Sequence, residues 1–392
     1  MLINRKKLMD YLSLLYPFMG AGKNNTATNV LNYYYREPDS FLAVTNGSLC
    51  AFIPIPNTNL DFPSLKKNFK VDGNQFFQTI KNIKAEEVDI NLFDTMLRIS
   101  AVDNKDNKTE VDFAYAPISN ATDYLINTPY VVDVRWKDID NVETAPISSK
   151  EFQEALQTCL PYVNTNDGKL SYVYFYKDRA VSANNNSNSE IAIYKHENLC
   201  MFPRIFVSKK DGDIIVKAKV DFLSFMNCNQ QYYRISGMSE KYSTELIVFI
   251  NALSNKENYP VIIDKDRYTE KELNASAYYT EEALMKQFNA EQIELNKDEL
   301  KDMLATVIVN GVDPTYSILS INGNSIKYEV KYLHLKKSKT IKTKESYPEM
   351  SIKINPNVLK NILDIGADYI SIDKKKIVAK TDSFNYICFL GE

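Results

Sequence analysis

The chain holds two histidines and one tryptophan in 392 residues. His196 and His334 stand far apart, and neither has a ligand-type or nucleophile-type partner at a spacing that catalysis uses. Triad hydrolysis and histidine-based metal sites are therefore not expected. Cysteine is scarce and odd in number: Cys50, Cys159, Cys200, Cys228 and Cys388 are scattered, with no C-x-x-C pair. That pattern argues against a zinc site and against a disulfide framework, and leaves buried free thiols as the expectation. No run of about 18 apolar residues occurs, and the N-terminus from Met1 to Leu12 lacks the apolar stretch of a signal peptide. A cytoplasmic protein without membrane contact is expected. No cofactor and no metal is called for. Carboxylate pairs such as Glu86–Glu87 and Glu281–Glu282 fall at a helix end and in a polar connector, where they read as solvated charge. Charge of one sign is also missing, since the formal net charge is −3 with 25% charged residues. This excludes a uniformly basic nucleic-acid binder, but allows a protein that is basic on one inner surface and acidic outside.

What the chain does have is repetition. In the last stretch Ser351–Ile354 alternates as a strand should. Asn355 then caps a helix with Pro356 at its first position, and Val358, Leu359, Ile362 and Leu363 recur at helical spacing. Gly366 ends the helix, and β runs follow at Tyr369–Ile372, Lys376–Lys380 and Phe384–Phe389. The same strand–helix–three-strand module is expected six times. The first copy reads as strand Leu2–Ile3, helix Arg5–Tyr16 stopped by Pro17, and strands Val30–Tyr35, Phe41–Val44 and Leu49–Ile53. The second has strand Asn68–Val71, a helix from the Asp72 cap to Lys84, and strands Glu87–Leu92, Met96–Ser100 and Glu110–Ala114. The third has a strand near Val142–Ile147, a helix burying Phe152, Ala155, Leu156 and Cys159 and ended by Pro161, and strands Tyr172–Tyr176, Ala180–Ala183 and Glu190–Tyr194. For the fourth the expectation is strand Asp213–Lys217, helix Val220–Cys228, and strands Tyr232–Ser236 and Leu246–Asn251. The fifth has strand Gln292–Leu295, a helix with Leu300, Met303, Leu304 and Val307 inward, and strands Tyr316–Ile321 and Ser325–Leu333. The segment Lys336–Lys344 is expected as an exposed strand end or loop. Copy spacing of roughly 60 to 77 residues is longer than solenoid periods. The reading is α+β with antiparallel sheets, in domains at 1–130, 131–263 and 264–392, with 264–290 as an extended connector.

So arranged, the chain resembles the bacterial-type DNA polymerase sliding clamp, the β clamp or polymerase III beta subunit family. The residues carrying the resemblance are the helix around Leu8–Leu15, the loop Gly20–Thr26 and the strand and turn Phe41–Asn46. Further along they are Lys150–Leu160, Arg179–Asn185, Glu190–Ile193, Val248–Asn258 with Tyr259-Pro260, and the terminal Tyr386–Leu390. Asn184–Ser189 departs from the family's turn, Cys388-Phe389 replaces its Pro-Met, and the connector at 264–290 is longer. Those departures suit a divergent, phage-encoded clamp.

The resemblance implies three similar domains, helices lining a ring and sheets outside. It also implies a homodimer with no catalysis of its own, acting as a processivity factor on double-stranded DNA without sequence preference. Its partners would be a DNA polymerase and a clamp loader. Residues for phosphate contact are Arg5, Lys6, Lys7, Lys23, Lys81, Lys84, Lys150, Lys169, Lys217, Lys219, Lys297, Lys301 and Lys360, at or near the module helices or in matching loops. Lys23 lies in a loop matching a DNA-contacting loop of the family. It is no P-loop lysine, because Pro17 stands where the first glycine would be and Asn24 replaces the Ser/Thr. The partner cleft maps to Tyr172, Ala183, Ile191, Pro260, Val261, Phe389 and Leu390. The rival reading is a β-rich structural or virion interaction protein built from duplicated domains, and a hydrolase ranks third.

Overall fold

The computed structural model describes residues 1–20, 28–35, 37–115, 144–145, 149–166, 170–175, 179–184, 190–197, 199, 205–218, 220–228, 232–251, 291–294, 297–309, 312, 314–367, 369–372 and 376–390. Lys23, Trp136, Lys169, Lys219, Pro260, Val261 and the connector 264–290 lie outside them.

Six α-helices are described. Local chemistry accounts for their ends. Helix α1 (Arg5–Leu15) begins where the Asn4 side chain accepts the Lys7 N–H at 3.0 Å, and it buries Leu8, Tyr11, Leu12 and Leu15. Its exit is a 3-10 turn, Tyr16–Phe18, containing Pro17. Helix α2 (Gly73–Asn82) is capped by Asp72, which accepts the Gln75 N–H at 2.8 Å, and it buries Phe76 and Ile80. Helices α3 (Ser149–Cys159), α4 (Lys209–Lys217) and α5 (Lys297–Val307) follow. Helix α6 (Pro356–Ile365) starts with Asn355 accepting the Asn357 N–H at 2.9 Å and stops at Gly366, whose φ of 73° few other residues adopt. The cap residues thus close off N–H groups that a helix start leaves unpaired.

The chain forms two compact units, Met1–Gln153 with Lys210–Ser254, and Glu154–Lys209 with Asn255–Glu392. In the first, strands β1 (Leu2–Asn4), β6 (Glu87–Leu92), β7 (Met96–Val102) and β8 (Lys108–Ala114) make a four-stranded sheet in that order. Its eight-stranded sheet runs β5 (Phe69–Asp72), β2 (Val30–Tyr34), β3 (Asp39–Thr45), β4 (Leu49–Pro56), β16 (Thr244–Asn251), β15 (Tyr232–Ser239), β14 (Asp221–Cys228), β9 (Thr144–Ala145).

The second unit has an eight-stranded sheet in the order β13 (Ile205–Ser208), β10 (Tyr172–Phe175), β11 (Arg179–Asn184), β12 (Glu190–Lys195), β22 (Phe384–Phe389), β21 (Lys376–Lys380), β20 (Tyr369–Ile372), β17 (Glu291–Glu294). It also has a pair of long strands, β18 (Tyr316–Lys331) and β19 (Lys336–Lys353). Sixteen residues of straight strand would span about 50 Å, yet the Thr315 N–H donates to the Lys331 carbonyl at 2.7 Å. The chain therefore doubles back inside β18, at Gly323 with φ 53°. The pair is in effect four runs in the order 350–353, 316–321, 325–331, 336–342. All pairings among the described residues are antiparallel.

The strand before each helix does not stay with its own module. β1 pairs with β6 and β5 with β2. β9 pairs with β14 and β13 with β10. β17 pairs with β20, and the end of β19 with the start of β18. Modules are thus interlocked two by two, one with two, three with four, and five with six.

One expectation needs correction and another is narrowed. In the fourth module the helix is α4, Lys209–Lys217, preceded by β13, while residues 221–228 form a strand. The run Ile214-Ile215-Val216 is β-branched and reads locally as strand, and Phe222 and Phe225 have helical spacing. Packing overrides both: α4 buries Ile215, Gly212 and Asp211, and β14 is hydrogen-bonded on both sides. Asp211 accepts from Ser48 Oγ at 2.6 Å and Asn46 Nδ2 at 3.3 Å, which fastens the helix to the β3–β4 turn. Of the two alternatives for Lys336–Lys344, the exposed strand holds: it is part of β19, and its residues 336–342 pair with β18. Its lysines suit such an edge, because charge discourages unwanted strand pairing.

Candidate docking face and basic helix faces

Strands β11, β12, β22 and β21 lie side by side, and their registers align one apolar row. Ala183 stands opposite Ile191, Ile191 opposite Ile387, and Ile387 opposite Val378. One step along, Val181 faces Ile193. Directly opposed residues share a sheet face, as do residues two apart, so Phe389 belongs to this face too. Ala183, Ile191, Val181, Ile193, Val378 and Ile387 form one buried cluster with Leu170, and half-buried Phe389 packs against its margin. The β10–β11 register, continued by two pairs, brings half-buried Tyr172 across from Ala183. Leu390 follows β22 and is 9% exposed. The structure therefore gathers Tyr172, Ala183, Ile191, Phe389 and Leu390 in one region. Leu170, Val181, Ile193, Val378 and Ile387 were not anticipated there. For Val181, Ile193 and Ile387 the trace in the sequence is the two-residue alternation within β11, β12 and β22.

The reverse face of the same strands is clamped. Tyr162 packs on Tyr386 at 5.2 Å and on Phe384 at 6.2 Å between ring centres. Ser182 Oγ donates to the Cys159 carbonyl at 2.6 Å. Glu190 accepts from Asn184 Nδ2 at 2.7 Å, from Asn361 Nδ2 of α6 at 3.1 Å and from the Tyr386 hydroxyl. Burial, and then the Glu190 charge, push the Cys388 thiol up to about 12. Burial chiefly also raises the phenols of Tyr386 and Tyr162, with Glu190 adding to both. Such groups hold their protons at neutral pH and serve packing and hydrogen bonding, not proton transfer. β22 is thereby held rigidly, with Phe389 projecting from the other side.

The basic residues divide by what holds them. Arg5 donates to the carbonyls of Ile80 at 3.0 Å and Lys81 at 2.9 Å, so its guanidinium closes the C-terminus of α2. The Lys7 ammonium sits 5.0 Å from the Tyr11 ring centre. Lys6, Lys81, Lys84, Lys217, Lys301 and Lys360 are exposed, and Lys297 is half-buried. Lys217 is the last residue of α4 instead of leading into a helix. Lys150 lies in the first turn of α3, with its side chain outside the described set. Lys297, Lys301 and Lys360 line one groove of about 910 Å³ between α5 and the start of α6, beside Leu304, Tyr332 and Pro356, with Asp298 and Asp364 also present. Lys209 and Lys210 were missed because the helix was expected downstream. The Lys209 ammonium donates to the Leu160 carbonyl at 2.8 Å, and Lys210 is exposed.

Among the described residues no group of three or more His, Cys, Asp or Glu could hold a metal ion. No described helix is long and apolar enough to cross a membrane.

Sequence comparison finds no matching family model and no matching curated protein. Solved structures do match over the whole chain. The DNA polymerase sliding clamp from Bacillus subtilis is similar at TM-score 0.73 and 11% identity, covering 100% of this chain and 98% of that one. The DNA polymerase III subunit beta from Pseudomonas aeruginosa is similar at TM-score 0.72 and 10% identity, over 100% and 99%. The Helicobacter pylori beta clamp bound to a DNA ligase peptide is similar at TM-score 0.69 and 12% identity, again over 100% and 99%. At these identities it is the path of the backbone that is shared, and the chain has the α+β fold of bacterial DNA polymerase III β sliding clamps.

Proposed function

We propose that this protein is a sliding clamp: a homodimeric ring of three-domain protomers that encircles duplex DNA, tethers a DNA polymerase and catalyses nothing itself. The observation that carries the reading is how the modules join. Each pair of interlocked modules is taken as one domain, with boundaries near residues 130 and 263. The first module of domain one then joins the second module of domain two through β4 and β16. The first module of domain two joins the second module of domain three through β12 and β22. Each join turns two four-stranded sheets into one of eight strands. The rule leaves the first module of domain three and the second module of domain one, whose sheets end in β19 and β8. Joining these between two copies, head to tail and then tail to head, closes a cycle and leaves neither edge open. Charge favours the match. Residues 336–344 carry Lys336, Lys337, Lys339, Lys342 and Lys344, while residues 103–112 carry Asp103, Asp106, Glu110 and Asp112 against Lys105 and Lys108.

A sliding ring needs positive charge toward phosphates without base-specific contacts. Lys6, Lys81, Lys217, Lys301 and Lys360 supply it in this reading, with Lys23, Lys150, Lys169 and Lys219 as further candidates. Polymerase and clamp loader dock at Tyr172, Ala183, Ile191, Phe389 and Leu390, together with Pro260 and Val261, by inserting a short apolar segment.

The test is topological. Loaded protein should stay on circular DNA and be lost when the circle is linearised, and light scattering should show a dimer. Combined Lys81→Glu, Lys301→Glu and Lys360→Glu should lower the salt slope of DNA association by about 0.9 per phosphate contact removed. Equal retention on linear and circular DNA would sink the ring.

A further inference from the structure

A partly open pocket of about 190 Å³ lies in the second unit, between α5 and the β18–β19 pair. Helix α5 contributes Leu300 and Met303, β18 contributes Leu319 and Ile326, β19 contributes Ile341 and α6 contributes Leu359. Protein interiors are packed to near-crystalline density, so unfilled space of this size beside the core is room for a ligand. One ion pair ties the sheet to the helix beside the pocket. Lys339 of β19 is ion-paired with Asp302 of α5. An enclosed apolar cavity of about 150 Å³ takes up benzene, so a pocket of about 190 Å³ has room for a ring. Among the described residues the charged ones in its lining are Glu299, Lys342 and Lys344, which sum to one positive charge, and Lys342 and Lys344 lie on the exposed strand β19.

We infer that this cavity is a binding site for a small aromatic carboxylic acid of one or two fused rings. The ring lies among Leu300, Met303, Ile326 and Ile341, and the carboxylate emerges at β19 beside Lys342. The site is distinct from the apolar row on β11, β12 and β22, and its occupation requires neither DNA nor a partner protein.

The test uses the full-length protein with indole-3-carboxylate and uncharged indole as probes, read by ligand-observed NMR titration and thermal shift. Saturable binding of the carboxylate at submillimolar concentration is expected, at least tenfold tighter than indole. Lys342→Ser should narrow that tenfold gap without changing indole binding. Met303→Phe or Ile326→Phe fills the void from opposite walls, so a variant that keeps the wild-type thermal midpoint should lose both ligands. No saturable binding to several millimolar would overturn the inference. So would binding that survives both filled variants, and indole binding as tightly as the acid would overturn the role given to Lys342.

Discussion

Ile387 and Phe389 share one face of β22, two residues apart, and should respond to truncation in opposite ways. Ile387 is 0% exposed and stands between Ile191 and Val378. Ile387→Ala removes three buried carbons, about 2.4 kcal/mol of transfer free energy at roughly 0.8 per carbon. The unfilled space raises the cost to about 3–4 kcal/mol. At 1.4 kcal/mol per tenfold, opening of β21–β22 should become more than about a hundredfold easier. Phe389 lies half-buried at the margin of the same cluster. Phe389→Ala should therefore cost only about 1 kcal/mol of local stability. If Phe389 anchors an incoming peptide, the same change should weaken binding by 10- to 100-fold, as is usual for an aromatic anchor. Amide hydrogen exchange of β21 and β22 measures the first quantity. Fluorescence anisotropy of a labelled peptide from the cognate polymerase measures the second. Two results would refute the reasoning: exchange in Phe389→Ala rising as far as in Ile387→Ala, or peptide affinity untouched by Phe389→Ala.

Two other expectations are simpler to check. Gly366 has φ 73° and a Cβ there would meet nothing within 4 Å, so Gly366→Ala should cost about 1 kcal/mol through backbone strain alone; a null effect on the urea midpoint would mean that α6 does not end in that conformation. Burial pushes the thiols of Cys50, Cys159 and Cys388 from 9.0 up to about 12. The folded state then keeps protons that the unfolded state gives up, so the contribution is fully present below pH 9 and is lost as pH rises from 9 toward 12. A urea midpoint flat from pH 8 to 11, or rapid native alkylation at pH 8, would contradict the burial of these thiols.

How much of this was legible depended on the range of the signal. The sixth module could be read residue by residue because its instructions are local. Asn355 and Pro356 start the helix, Val358, Leu359 and Ile362 turn one face inward, and Gly366 stops it. The fourth module was misread because Ile214–Val216 and Phe222–Phe225 carry local periods that contradict the outcome, and contacts from other modules decided it. Among the docking residues, Ala183, Ile191 and Phe389 came from family resemblance. Ile193, Val378 and Ile387 needed the knowledge that β12 adjoins β22, about 190 positions away. Arg5 shows a contact the sequence does not signal: its guanidinium donates to two carbonyls at the end of α2.

The sequence by itself determined the alternation of strands and helices, most of their ends, and the sixfold repeat. Caps, glycines, prolines and apolar spacing act within a turn or two of the chain, and each module carries its own set. Only the tertiary structure decided which modules exchange their first strands and which join edge to edge. Those choices are made by backbone hydrogen bonds, whose N–H and C=O groups are the same in nearly every residue, and by the fit of apolar faces far apart in the chain. The two joins, β4 with β16 and β12 with β22, leave β8 and β19 as the edges on which the proposed ring depends.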